Sequence, residues 1–218
     1  MSLNRKTVTG RKKRIAFLGG AFDPPHAGHV MLARKVLEQN LSDLVLWVPS
    51  WAPPHKNSGC MTEFFHRVNM VKLTISNLSG CEVSDIEERK QFDPSYSYKV
   101  LSALREEYPD CELQLLIGQD SLEQLHTWYC AKALASEFGI IALPRKNAGG
   151  KAEALNLPSE FWGMVLTGKL QNSLIAGDYV EISSTELRKK LAKNENLHNI
   201  INAEVLDYIE ANGLYRSK

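Results

Sequence analysis

Two histidines three residues apart, His26 and His29, close the segment Gly19-Gly20-Ala21-Phe22-Asp23-Pro24-Pro25-His26-Ala27-Gly28-His29. Each residue type in it suits an anionic ligand. Glycine lets a ligand approach the backbone, proline stiffens the loop, and imidazole donates hydrogen bonds to phosphate oxygens. Taken alone the pair leaves other readings open. It could be half of a zinc site, although no compact Cys/His/Asp group supplies further ligands, or two structural histidines.

The elements that must hold these side chains are legible around them. Residues 15–18 are a short apolar run with Ile15 and Phe17, which predicts a strand ending at the double glycine. Pro24 and Pro25 forbid helix before them, and Val30, Ala33, Val36 and Leu37 then recur at helical spacing. A helix therefore starts near 26–29. Its first turn carries His26, Gly28 and His29 where unpaired amides and partial positive charge favour phosphate.

The eleven-residue segment from Gly19 to His29 resembles the signature of the nucleotidyltransferase superfamily with the HxGH motif. In its GGxFDPxHxGH form it most resembles the bacterial nicotinate-nucleotide adenylyltransferase family. That resemblance implies ATP as a substrate, bound around Gly19, Gly20, Phe22 and Gly28, with His26 and His29 catalytic.

Composition constrains the remainder. A chain of 218 residues can bury one full core, and no linker-like stretch divides it, so we read a basic tail over residues 1–13 and a single domain over 14–218. The tail holds Arg5, Lys6, Arg11, Lys12 and Lys13, with Arg14 following, and is expected to be solvated; a polybasic contact stays open. Net charge is +1 with 23% charged residues, which speaks against a general nucleic-acid binder. No run nears the ~18 apolar residues of a bilayer span, nor is there the apolar core of a signal peptide, so a cytoplasmic protein is expected. Cys60, Cys81, Cys111 and Cys130 show no CxxC spacing, which suggests neither a disulfide framework nor a zinc knuckle. Self-association is left open.

Further along, 43–48 reads as a buried strand, 63–78 as a helix, 81–86 as a third strand, and 93–98 as a turn into a helix that runs to about 108. Residues 113–117 and 140–143 are the fourth and fifth strands, with a helix between them that takes in Leu122, Leu125 and Trp128. We expect a loop over 146–160, a sixth short strand over 164–166 and a last helix over 202–211. Ser183 with Glu186 fits a capping box and so predicts another helix start suited to anions. This alternation implies a Rossmann-like α/β fold, a doubly wound parallel sheet with helices on both faces and its ligand site beyond the carboxyl ends of the strands.

Two rival motifs fail. Gly163 to Leu170 has the glycine and lysine spacing of a P-loop but lacks the Ser or Thr that would hold magnesium, and no GxGxxG follows a strand. The family resemblance extends to other positions. Ile182-Ser183-Ser184-Thr185-Glu186-Leu187-Arg188 resembles its ISSTxIR element, with Leu187 for the usual Ile, and implies that Ile182, Ser183, Ser184 and Arg188 meet the ATP phosphates. Gly118-Gln119-Asp120-Ser121-Leu122 resembles GxDxL, whose Asp120 would bond ribose. Trp128 and Tyr129, with Ser97, match the positions that would hold the nicotinate ring and carboxylate, and Lys56 in Pro53-Pro54-His55-Lys56 could lean over the phosphates.

The implied reaction joins AMP from ATP to nicotinate mononucleotide, giving nicotinate adenine dinucleotide and pyrophosphate in NAD biosynthesis. The attacking 5′-phosphate is already an anion, so His26 and His29 are expected to be donors rather than bases, partly protonated near pH 7 and favoured in the cationic form by nearby phosphates, with Arg188 beside them. Magnesium would arrive on ATP, since no carboxylate cage is evident. A sister enzyme acting on nicotinamide mononucleotide or phosphopantetheine, and a nucleotide-binding regulatory protein without catalysis, remain as alternatives.

Overall fold

Strands buried on both faces must be apolar at successive positions, and the second strand, β2 (Leu44–Pro49), is buried at every residue. The computed structural model describes residues 11–54, 61–144, 154–177 and 182–216. Beside β2 run β1 (Lys13–Gly20), β3 (Cys81–Val83), β4 (Cys111–Gly118) and β5 (Gly139–Leu143). The sheet order is β3-β2-β1-β4-β5 and every pairing is parallel. The chain turns from β1 to β2 on one side, while β4 flanks β1 on the other. The switch point therefore lies between β1 and β4, where such sheets bind ligands.

Alternation along the strands divides the core. Ile15, Phe17, Leu46, Leu113 and Leu115 face one layer, which holds α3 (Ile86–Lys90), α4 (Ser97–Glu107), α5 (Gln119–Glu123), α6 (Ala131–Glu137) and α7 (Ser159–Gln171). Ala16, Leu18, Val45, Trp47 and Leu116 face the other, covered by α1 (Ala27–Glu38) and α2 (Phe64–Ile75). A third cluster joins Met70 of α2 to Leu187 of α8 (Ser184–Leu191) and to Val205 and Ile209 of α9 (Ala203–Ala211). The C-terminal helices thus form an outer layer on α2.

The expected sixth strand at 164–166 is instead the middle of α7, with Met164 and Val165 91% and 86% exposed. A short apolar run does not distinguish strand from helix; here the helix kinks at Gly163 (φ 71°), and Leu166 and Leu170, spaced by four beyond the kink, turn inward with Trp162 ahead of it. The edge beside β5 is taken by a single parallel bridge from Ala142 to Leu174. Gly163 to Leu170 is accordingly no phosphate loop, and Lys169 donates to the carbonyl of Phe138 (2.9 Å) at the end of α6. β3 stops at Val83, and α3 begins at Ile86, where strand was expected. The helix foreseen through Trp128 is shorter too: α5 gives way to a 3₁₀ turn (Leu125–Thr127), and Trp128 is extended. At the N-terminus, Arg11 pairs with Asp43 (2.6 Å) and β1 already begins at Lys13, inside the stretch read as tail.

On α2 the inward face is not wholly apolar. Phe65 is exposed, whereas Arg67 is buried and donates to the carbonyls of Thr62 (3.0 Å) and Ala21 (2.8 Å). Replacing Arg67 by Met is expected to lower the unfolding free energy by roughly 3 kcal/mol, because it strands buried acceptors without their cation. Urea titration with an unchanged slope checks this, and a loss below about 1 kcal/mol would place Arg67 among ordinary surface-like charges.

Candidate active site

The loop after β1 is built against its neighbours. A side chain at Gly19 would bring Cβ to 2.6 Å from the ring of Phe17, so that ring's position demands glycine. Phe22 adopts a left-handed φ of 49°, uncommon for an aromatic residue, and its buried ring packs on Trp47 (5.2 Å) and edge-on to His29 (4.9 Å). The side chain of Phe22 is therefore a prop beneath His29, and only its backbone can meet a nucleotide.

His26 is the extended residue that caps α1, and His29 lies in the first turn. The amide of His26 donates to Nδ1 of His29 (3.2 Å). An acceptor at Nδ1 fixes the neutral tautomer, with the proton on Nε2. His26 is 6% exposed, its Nδ1 has no partner, and burial pushes its pKa down to about 4. The two rings stack at 3.8 Å. Without phosphate nearby, burial therefore favours the neutral form of His26, which remains a donor as a neutral imidazole.

Helix α8 brings the other anion-directed segment to this loop. Ser184 Oγ donates to the carbonyl of Pro24 (3.3 Å), and Arg188 Nη1 to that of Asp23 (2.8 Å), also lying 3.7 Å from the Asp23 carboxylate. Ser183 caps the helix by accepting from the amide of Glu186 (3.4 Å). Only that half of the expected capping box forms, since the Glu186 carboxylate pairs with Lys189 (2.8 Å).

A crevice of about 340 Å³ opens at the switch point, with Gly19, Gly20, His29 and Ser184 on its lining together with Ser97, Trp128 and Tyr129. Trp128 leaves the 3₁₀ turn in extended form and is half-buried, packed in part against the core layer that holds α4 to α7. Tyr129 stacks on Tyr96 (4.6 Å, 12°). Ser97 opens α4, whose first-turn amides have no partner within the helix. Gly28 is buried inside α1, while Gly118 and Asp120 stand at the end of β4 and the start of α5, outside the crevice lining. Ile182, Ser183, Arg188 and His26 are not on that lining either. Lys56 lies outside the described residues. A wider depression of about 460 Å³ lies on the outer side of α1; His26 lines it with Arg34 and His198, and none of the signature glycines does.

The floor was not foreseen. Glu87 is buried, accepts from Ser95 Oγ (2.9 Å) and from the amide of Trp51 (3.3 Å), and burial pushes its carboxyl up to about 7. Ser95 Oγ in turn accepts from the amide of Ala52 (2.9 Å). This ties the loop after β2 to the segment that presents Ser97. Within a run as charged as Asp85 to Lys90, nothing in the sequence marks Glu87 as the buried member. Arg67 was missed likewise, its position counted only as part of a helix.

The cytidylyltransferase-like family model matches residues 17–190. The nicotinate-nucleotide adenylyltransferase of Bacillus subtilis is 32% identical over 207 residues, covering 94% of this chain and all of that one. Among solved structures, Plasmodium falciparum nicotinic acid mononucleotide adenylyltransferase complexed with NaAD has a TM-score of 0.72 at 24% identity, covering 93% of this chain and 97% of its own. The same protein complexed with APC gives 0.70. At that identity the structures speak for the shared fold. With the signature loop, the α8 start and the aromatic wall arranged around one crevice, the chain belongs to the cytidylyltransferase-like family and, within it, to the nicotinate-nucleotide adenylyltransferases.

Proposed function

We propose that this crevice seats ATP at its signature end and nicotinate mononucleotide against Trp128 and Tyr129, and joins them by in-line attack. The observation that carries this reading is the meeting of Gly19, His29 and Ser184 with Ser97 and Trp128 on one lining. The 5′-phosphate of the mononucleotide attacks the α-phosphorus of ATP. A phosphorus–oxygen bond forms to it as the bond to pyrophosphate breaks, and no proton need be removed from the nucleophile.

Catalysis then reduces to alignment and charge stabilisation. His29, held by the His26 amide, directs its Nε2 proton to phosphate oxygen, and His26 acts beside it. Ser183, Ser184 and the α8 amides take phosphate oxygens, and Arg188 adds fixed charge one turn on. Gly19, Gly20 and Gly28 let the nucleotide approach the backbone, with Gly118 and Asp120 on the ribose side. Lys56 completes the phosphate contacts in this reading. Ser97 and Tyr129 offer amides to the nicotinate carboxylate, and Trp128 offers its face to the ring. Among the described residues no group of three or more His, Cys, Asp or Glu comes together to hold a metal ion. In this reading magnesium would arrive with ATP, as part of that substrate. The same described residues include no helix long and apolar enough to cross a membrane.

The test is pyrophosphate release from ATP with nicotinate, nicotinamide and other phosphorylated acceptors side by side. Strong preference for nicotinate mononucleotide is expected. Equal rates with the nicotinamide form would move the assignment to the sister activity, and no release with any acceptor would favour a binding protein. His29→Ala should fold and bind ATP while turnover falls by about a hundredfold or more; a fully active variant removes His29 from the mechanism. Trp128→Ala should raise the KM for the mononucleotide and leave that for ATP unchanged, whereas equal losses would refute its role as ring platform.

A further inference from the structure

Asp23 stands in the middle of the signature segment, where a carboxylate invites reading as a ligand for ribose or a cation. Its surroundings contradict that. It is 1% exposed, and one carboxylate oxygen accepts from the phenol of Tyr215 (2.7 Å) while the other faces Arg188 Nη1 (3.7 Å). Its backbone carbonyl accepts from the same guanidinium nitrogen (2.8 Å). The carboxylate is enclosed by the protein's own groups.

Tyr215 comes from the far end of the chain, 192 residues away, just beyond α9. Gly213 (φ 61°) and Tyr215 itself (φ 60°) turn the chain back, and Leu214 donates its amide to the carbonyl of Ile209 (3.0 Å). The phenol then lies over Sδ of Met70 (3.9 Å) and reaches the signature loop. Burial and the neighbouring Asp23 charge hold it protonated well above its ordinary range, so it donates throughout the working pH range.

We infer that Tyr215 is a positioning residue for the ATP half of the reaction, acting through Asp23 on Arg188. This rests on the reading of Arg188 as a phosphate-binding group. The carboxylate has two claimants. While the phenol occupies one oxygen, Arg188 is drawn only loosely to the other, and the donors not engaged by the Asp23 carbonyl and by Thr185 Oγ1 (3.2 Å) can serve phosphate. Without the phenol, a buried carboxylate oxygen lacks a partner; Arg67 also faces Asp23 but is held on the carbonyls of Thr62 and Ala21, so the cation placed to satisfy it is Arg188, already 3.7 Å away. The guanidinium would then close on Asp23 as a two-pronged pair and be less free to meet phosphate.

The full-length protein carrying Tyr215→Phe, Asp23→Asn or both tests this, with steady-state kinetics in each substrate. Tyr215→Phe should raise the KM for ATP about tenfold and leave that for nicotinate mononucleotide within twofold. The rise should largely vanish when Tyr215→Phe is introduced on top of Asp23→Asn, because the competing carboxylate charge is already gone. Equal KM increases for both substrates, or no change, overturn the inference by making the contact merely structural. Should Tyr215→Phe fail to fold, Asp23→Asn decides: it must alter the KM for ATP alone, and equal losses or none overturn the inference. Arg188→Ala, run alongside, separates the two layers. Unchanged ATP binding in that variant refutes the role given to Arg188 and the inference with it, whereas weakened binding there with unchanged binding in Tyr215→Phe refutes the inference alone.

Discussion

The loop between β1 and α1 has neither strand nor helix to satisfy its carbonyls, and the guanidinium groups that accept this task hold the site together. Arg67 donates to Ala21 and Arg188 to Asp23, while Ser184 donates to Pro24. Buried backbone oxygens left without donors would destabilise the loop. Three successive stretches of signature backbone are thus fastened from α2 and α8, elements that pack on each other through Met70 and Leu187. The same fastening brings the start of α8 beside the start of α1, so one set of hydrogen bonds both stabilises the loop and assembles two anion-directed helix ends.

Electrostatics in the crevice follow from burial more than from residue type. His26 is driven to the neutral form and Glu87 towards protonation, each because water is excluded around it. Arg188 and the helix amides need no proton from solvent to keep their positive character. A site arranged this way presents donors without first having to collect protons, which suits a nucleophile that is already an anion.

What could be read without coordinates was local or strictly periodic. The double glycine, the prolines and the helical spacing after them placed the strand, loop and helix around His26 and His29, and the strand cores at 43–48, 113–117 and 140–143 all appear in the sheet. The failures share a cause. Met164 to Leu166 was too short a run to reveal its period, and Glu87 and Arg67 lie in stretches whose neighbours are charged or mixed. Trp128 was placed in a helix because its spacing from Leu125 suited one, yet the turn ahead of it ends in extended backbone.

The sequence by itself determined the order of elements, the signature loop and the two helix starts, because glycine and proline geometry, hydrophobic period and capping act within a few residues. Only the tertiary structure decided which groups meet there. Asp23 finds Tyr215 across 192 positions, Glu87 finds Ser95 and Trp51, and the stacking of His26 on His29 depends on Phe22 and Trp47 beneath them. Such contacts, and the protonation states they impose, arise from packing between layers and the exclusion of water, and neither is encoded in local spacing.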